Sequence, residues 1–343
     1  MTSARRASPD VPSAAPRRRN GPGHGTPTIL RSPRRARTGP VRLNVRTLSL
    51  VVVLVSLAGR LSAQDLDPRA YARVPVGVTG LVAGFNYTYG GVVTDPTSPI
   101  QDLKATVETP LLGLARTFDL FGLTSQAFVA VPFSWAQASG KVLGEEKSIT
   151  RSGLGDTRLR LSVLFVGAPA LTPVEFAGSP PEPVLGGSLT VVAPTGQYFN
   201  DKLINLGTNR WAFKPEVGLS YPVDEHWLLD LYAGVWLFTD NDSFYPGTAV
   251  RSQNPLVSFQ VHASYNLTPL MWAAIDFTYY TGGQSSVDDF YKDDRQNNTR
   301  LGATFNVPVS RLNSIKLAYS TGAIIRLGAN FSAVSIAWQM AFL

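Results

Sequence analysis

The 343-residue chain has no cysteine and no apolar run of the roughly 18 residues that a spanning helix needs, which excludes a disulfide framework and a helical membrane protein. Its formal charge of +7 belongs to the first 63 residues, which hold 12 Arg against one acid, Asp10; the remainder holds 19 Lys+Arg against 23 Asp+Glu. The folded part therefore lacks the basic balance that nucleic-acid binding requires.

Residues 1–40 are Arg, Pro, Ser and Gly with few large apolar residues; they are expected to be disordered or to precede the true start near Val41. A short basic segment (Val41–Arg46), an apolar core (Leu48–Ala58) and Leu61-Ser-Ala63 follow, the three regions of a secretory signal over 41–63. Residues 64–77 form an N-terminal segment ahead of the first strand, and residues 78–343 make the main domain.

From Val78 on, stretches of about ten residues keep their apolar members on one parity, as strands with one oily face do. The first (78–91) aligns Leu81, Ala83, Phe85, Tyr87 and Tyr89. The second (103–114) aligns Leu103, Ala105, Val107 and Leu111, and the third (125–136) sets Ala127, Val129, Val131, Phe133 and Trp135 against Gln126 and Ser134. In the fourth, Thr157, Leu159, Leu161, Val163 and Phe165 oppose Asp156, Arg158, Arg160 and Ser162. Eight more follow: 185–194, 211–221, 227–239, 256–266, 270–281, 299–307, 313–321 and 332–342. With only 16% charged residues and 10% aromatics, this composition suits strands that turn their oily face to lipid and their charged face to a lumen. A soluble sandwich would give the same alternation with the oily face turned inward.

The connections decide between the two. Short turns at 222–225, 266–270 and 308–313 alternate with long polar loops at 139–152, 195–210, 240–254 and 282–298. Outer-membrane barrels alternate in this way because their periplasmic turns are short and their outward loops long. The connection 167–184 is the exception, with room for a helical turn at the periplasmic rim. The expected fold is all-β: a closed antiparallel transmembrane barrel of about 12 strands. The last strand alternates to Phe342, similar to the terminal strand read by the barrel insertion machinery.

Gly167-Ala-Pro-Ala-Leu-Thr-Pro173, Ala193-Pro-Thr-Gly-Gln-Tyr198, Asn205-Leu-Gly-Thr-Asn-Arg-Trp211 and Gln253-Asn-Pro-Leu256 are accompanied by Thr117-Phe-Asp-Leu-Phe-Gly122 and Tyr279-Tyr-Thr-Gly-Gly283. From about Gly77 to the C-terminus, this ordered set resembles an outer-membrane transporter-like family named for the MetA pathway of phenol degradation. The resemblance implies a barrel that moves hydrophobic or aromatic compounds, with no catalytic residues to carry over. The alternative is a structural or adhesive barrel whose lumen is filled by side chains.

If odd-numbered residues face lipid across strands four to eleven, the lumen receives Asp156, Arg158, Arg160, Lys214, Glu216, Asp230, His262, Asp276, Arg300 and Lys316. Acids and bases mix, so they form either a mutually paired lattice or a polar constriction on a permeation path. Trp135, Trp211, Trp227, Tyr265 and Trp338 are placed as interfacial girdle residues facing outer-membrane lipid. No histidine or carboxylate spacing points to a metal, a cofactor or an enzyme. Asp240-Asn-Asp242 and Asp288–Asp294 read as solvated loops rather than calcium sites. In the loop 195–210, Tyr198, Phe199, Leu203, Ile204 and Leu206 are too many apolar residues to float in water. That loop is expected to fold across the mouth as a gate or to pack on neighbouring loops.

Overall fold

The structure, a computed structural model, describes residues 66–93, 100–142, 144–326 and 328–342. The expected leader and export signal, residues 1–63, lie outside the described residues. In chain order the elements begin β1 (Thr79–Val93), β2 (Ile100–Leu120), β3 (Leu123–Val142), β4 (Glu145–Leu154), β5 (Thr157–Val166), α1 (Pro173–Ala177), β6 (Val184–Ala193) and β7 (Ala212–Pro222). Next come β8 (Trp227–Phe238), β9 (Asn241–Phe244), β10 (Ala249–Gln253), β11 (Leu256–Asn266) and β12 (Trp272–Gly282). The chain ends with β13 (Ser285–Val287), β14 (Phe290–Tyr291), β15 (Gln296–Pro308), β16 (Asn313–Ile324) and β17 (Gly328–Phe342).

Neighbouring long strands pair antiparallel in the order β2-β1-β17-β16-β15-β12-β11-β8-β7-β6-β5-β3, and β2 pairs with β3 to close the ring. The strands β4 and β5 both pair with β3 and meet at Gly155-Asp156, where Gly155 N–H donates to Pro132 O. They are one stave with an irregularity opposite a proline that has no N–H to offer. The barrel thus has twelve staves and no edge at membrane depth, which is what a β-structure in lipid requires.

The wall follows the alternation. On β7, Val217 and Tyr221 are exposed, while Lys214, Glu216 and Ser220 are buried inside. Trp135 and Trp211 stand at the outer end of the wall and Trp227, Tyr265 and Trp338 near the short turns, all exposed. From Trp211 to Tyr221 is about 33 Å along the strand and about 25 Å once tilted, the height of a lipid-facing band.

Three readings of the sequence change. Residues 139–152 are not a loop: β3 and β4 continue as a hairpin in register from Val142↔Glu145 to Phe133↔Leu154. Their Ser, Thr and Lys side chains stand in water, so no oily parity marks them as strand. In β2 the apolar parity noted for Leu111 faces the lumen, where it packs with Ala115, Phe128 and Ala130. The lipid side is carried instead by Leu112 and Leu114. Finally, the loops 240–254 and 282–298 pair as a second sheet, ordered β14-β13-β10-β9, at the outer end. The exceptional connection 167–183 does hold a turn of helix, α1, capped by Thr172 and Glu175 in a reciprocal box.

Candidate functional site

The site is the barrel interior, and its centre is a segment that the wall does not supply. Residues 66–77 precede β1 and run up the lumen from the short-turn end. Val74 and Val78 pack with Val82, Ala337 and Ala341 where the segment enters. Arg73 stacks on Phe176 of α1 and donates to Ser179 Oγ, 2.9 Å away, which ties the segment to the rim. Beside it a vestibule of about 1050 Å³ opens between α1, the turn after β7 and the turn after β11.

Higher up, the backbone of the segment is fixed by lumen side chains. Arg69 N–H donates to Asp230 Oδ2 (3.0 Å) and Ala70 N–H to Tyr232 Oη (3.0 Å). The Arg69 guanidinium lies 4.4 Å over Trp272 and donates to Asn266 Oδ1 at 2.6 Å. Tyr71 is fully buried, with its hydroxyl 2.8 Å from Ser188 Oγ and donating to Glu216 Oε1 at 3.1 Å. The wall makes room by omitting side chains: a Cβ on Gly186 would fall 2.8 Å from Tyr71 Cδ1, and one on Gly218 would fall 2.8 Å from Tyr71 Cγ. Such contacts are shorter than any two carbons keep, so glycine is required at both places.

Asp67 joins opposite walls. Its carboxylate lies 3.6 Å from Arg160 Nη1 on β5 and 3.4 Å from Lys316 Nζ on β16. Arg160 also meets Glu216 (3.3 Å), which pairs with Lys214 at 2.5 Å and accepts from Gln260 at 3.2 Å. A second group sits nearer the short turns. His262 Nδ1 lies 2.7 Å from Asp276 Oδ1, Thr304 donates to Asp276 Oδ2 at 2.8 Å, and Ser220 donates to Asp230 Oδ1 at 2.6 Å. Arg300 bonds Ser320 Oγ and Phe331 O.

All the charged residues assigned to the even parity are thus inside the barrel, but they are not one constellation. Arg158, Arg160, Lys214 and Glu216 surround a cavity of about 20 Å³ that also touches Asp67 and Tyr232. Asp230, His262 and Asp276 lie below it, and Arg300 and Lys316 stand on β15 and β16. Asp156 does something different: it accepts from Gly196 N–H, Thr208 N–H and Thr208 Oγ at 2.7–2.9 Å and clamps both ends of the loop 195–210. Of that loop's apolar residues, Phe199 and Leu203 are exposed. Tyr198 bonds Ser243 O and accepts from Asn241 on β9, so this part of the loop lies on its neighbour.

Above the charged level the lumen turns apolar. Ala212, Trp236, Leu256 and Tyr280 form a buried collar, with Val192 and Phe238 against it. Over the collar sits the small outer sheet, from which Gln253 meets Arg210. Sequence reasoning missed Asp67, Arg69, Tyr71, Trp236, Arg210 and Arg251. The one sequence-level signal for Trp236 and Arg210 is that Arg210, Ala212 and Lys214 share a parity, as do Trp236 and Phe238.

Comparison with known proteins fits this geometry. Residues 83–324 match a family described as "Putative MetA-pathway of phenol degradation". Among solved structures, an outer membrane channel from Pseudomonas putida F1 superposes with a TM-score of 0.68 at 24% identity, covering 80% of this chain and 99% of that one. The beta domain of the Bordetella autotransporter BrkA (12% identity, TM-score 0.49, covering 77% and 100%) and the transport unit of the autotransporter AIDA-I from Escherichia coli (11%, 0.49, covering 84% and 96%) are also similar. No curated protein matches the chain. With the match spanning well over half its length, the chain belongs to the MetA-pathway phenol-degradation family of barrels.

Proposed function

We propose that the chain is an outer-membrane channel for small hydrophobic or aromatic compounds, held shut by its own N-terminal segment. The observation that carries this reading is the nature of the filling. A structural barrel of this size can close its lumen with wall side chains. Here the centre is taken by residues 66–74, a segment held by polar contacts and by the packing of Ala70, Tyr71 and Val74, and free to leave without unmaking any strand pair. Cavities of about 20 and 30 Å³ remain around it, each enough for roughly one water, so this is the closed state.

The apolar inner surface of β2 and β3 (Leu111, Ala115, Phe128, Ala130) supports an oily solute, since it offers an apolar wall beside the charged lattice, Phe128 pairing across the strands with Arg160. Asp156, Arg158, Arg160, Lys214, Glu216, Asp230, Asp276, Arg300 and Lys316 then serve as the polar side of the path once the segment withdraws. The loop 195–210 narrows the mouth above it. Residues 41–63 act as the export signal, and β17 is the strand read by the insertion machinery.

Removing residues 66–74 from the mature protein tests the reading. The expected result is a folded barrel with raised single-channel conductance and faster uptake of an aromatic probe such as benzyl alcohol into vesicles. A folded truncation with wild-type conductance and uptake would leave a structural barrel as the better account.

A further inference from the structure

The outer mouth holds buried donors that have no acceptor among the described residues. Arg210 is 8% exposed, lies 4.4 Å over the Phe238 ring and donates through Nη2 to Gln253 Oε1. Among the described residues its buried Nη1 meets no acceptor. Trp236, stacked on Phe238 with ring centroids 6.5 Å apart, is more deeply buried still, and its Nε1–H likewise meets no acceptor among the described residues. A buried donor without a partner costs free energy, and native interiors rarely keep one without reason.

A second cation stands beside the first. Arg251 precedes Gln253 by two residues on β10, so the two share a face of that strand. Burial first, and the neighbouring Arg251 charge next, push the Arg210 pKa down to about 10. The carboxylates at this level are engaged or exposed. Asp156 and Asp240 act on Arg210 and Asp294 on Arg251, but Asp156 is committed by hydrogen bonds to Gly196 and Thr208, Asp294 accepts from Ser285 N–H at 2.7 Å, and Asp240 is exposed. Two neighbouring cations, with two unpaired N–H groups on either side of the Phe238 contact, call for an anion with several lone pairs. A carboxylate has about four, in the geometry that a guanidinium fork matches. Directly below lies the apolar collar of Ala212, Leu256 and Tyr280.

We propose that Arg210 and Arg251 form a recognition site at the outer mouth for a small organic carboxylate with an apolar or aromatic body, the body seated toward the collar. The inference rests on the channel reading above and narrows its solute class. The carboxylate would take Arg210 Nη1–H and Arg251, with the Trp236 indole N–H, whose ring stacks on the same Phe238, as a further donor.

Purified full-length protein in detergent micelles, titrated with benzoate and followed by tryptophan fluorescence and calorimetry, tests the site. Benzyl alcohol (no charge) and acetate (no body) are the controls. Benzoate is expected to bind at least about tenfold tighter than either control, and Arg210→Gln or Arg251→Gln to weaken benzoate about tenfold or more while leaving benzyl alcohol unchanged. Heat-modifiable gel migration reports folding; if Arg210→Gln fails that check, Arg251→Gln carries the comparison. Unchanged benzoate affinity in a folded variant, or benzoate bound no tighter than benzyl alcohol, overturns the site. Vesicle flux measured alongside separates the two readings. Binding without flux removes the channel and keeps the site, whereas flux of benzyl alcohol with no carboxylate preference does the reverse.

Discussion

Replacing Gly218 by alanine puts a methyl where the Tyr71 ring lies. The new Cβ would stand 2.8 Å from Tyr71 Cγ, with two further ring carbons closer still. Carbon atoms in contact keep about 3.5–4.0 Å, so the ring must shift by about 1 Å or more. A shift of that size breaks the hydroxyl contacts to Ser188 (2.8 Å) and Glu216 (3.1 Å), because the ring is rigid and both partners are fixed on the wall. Overpacking costs about 1–3 kcal/mol, and each lost hydrogen bond roughly 1 kcal/mol more. Taking about 3 kcal/mol, the ratio of seated to withdrawn segment falls by roughly a hundredfold. Single-channel recording should show Gly218→Ala open far more often than wild type, and Tyr71→Ala likewise. In the double variant the methyl meets no ring, so its effect should match Tyr71→Ala alone, with a coupling of at least about 1 kcal/mol. Additive effects, or wild-type gating in a folded Gly218→Ala barrel, would refute the placement of Tyr71.

Three shorter tests address the wall, the mouth and a turn. Val217 is exposed at the middle of β7, so Val217→Arg should lower refolding stability in vesicles by about 2–4 kcal/mol, whereas Tyr221→Arg nearer the rim should cost about 0–1 kcal/mol. Asp156→Ala leaves Gly196 and Thr208 without their acceptor; their amides should lose roughly 1.5–3 kcal/mol of hydrogen-exchange protection while the strands keep theirs. Asp224 in the short turn accepts from Trp227 N–H and His226 N–H, both at 2.7 Å, and these bonds hold its carboxyl below the usual range. A lowered folded pKa stabilises above the unfolded value of about 3.9 and is lost as pH falls through the folded one. The stability gap between wild type and Asp224→Ala, measured by urea titration, should therefore be present at neutral pH and close in acid; a gap independent of pH would remove the carboxylate from the account.

Much of the wall was legible because lipid and lumen sort side chains by parity, and parity is a local property. The alternation of Leu159 and Leu161 with Arg158 and Arg160 assigns both faces of β5 without knowledge of any neighbour. The same rule misled at β2. Apolar residues stand on both parities there, since Leu111 faces Phe128 inside while Leu112 faces lipid. It was silent on the hairpin of β3 and β4, whose water-exposed side chains carry no oily signal, and on β9, β10, β13 and β14, which are too short to show a period.

What the sequence by itself determined was the class of solution: alternating strands joined by turns that are short on one side and long on the other, with charges inside. What only the tertiary structure decided was what fills the barrel. Residues 66–77 have two prolines and no period, so nothing local marks them as a plug. Their place depends on partners far along the chain: Asp67 on Arg160 and Lys316, Ala70 on Tyr232, and Tyr71 on the space left by Gly186 and Gly218. Parity states that Arg160 points inward. Which carboxylate it meets depends on how the closed ring brings distant residues to one height, and that is a property of the barrel rather than of any stretch within it.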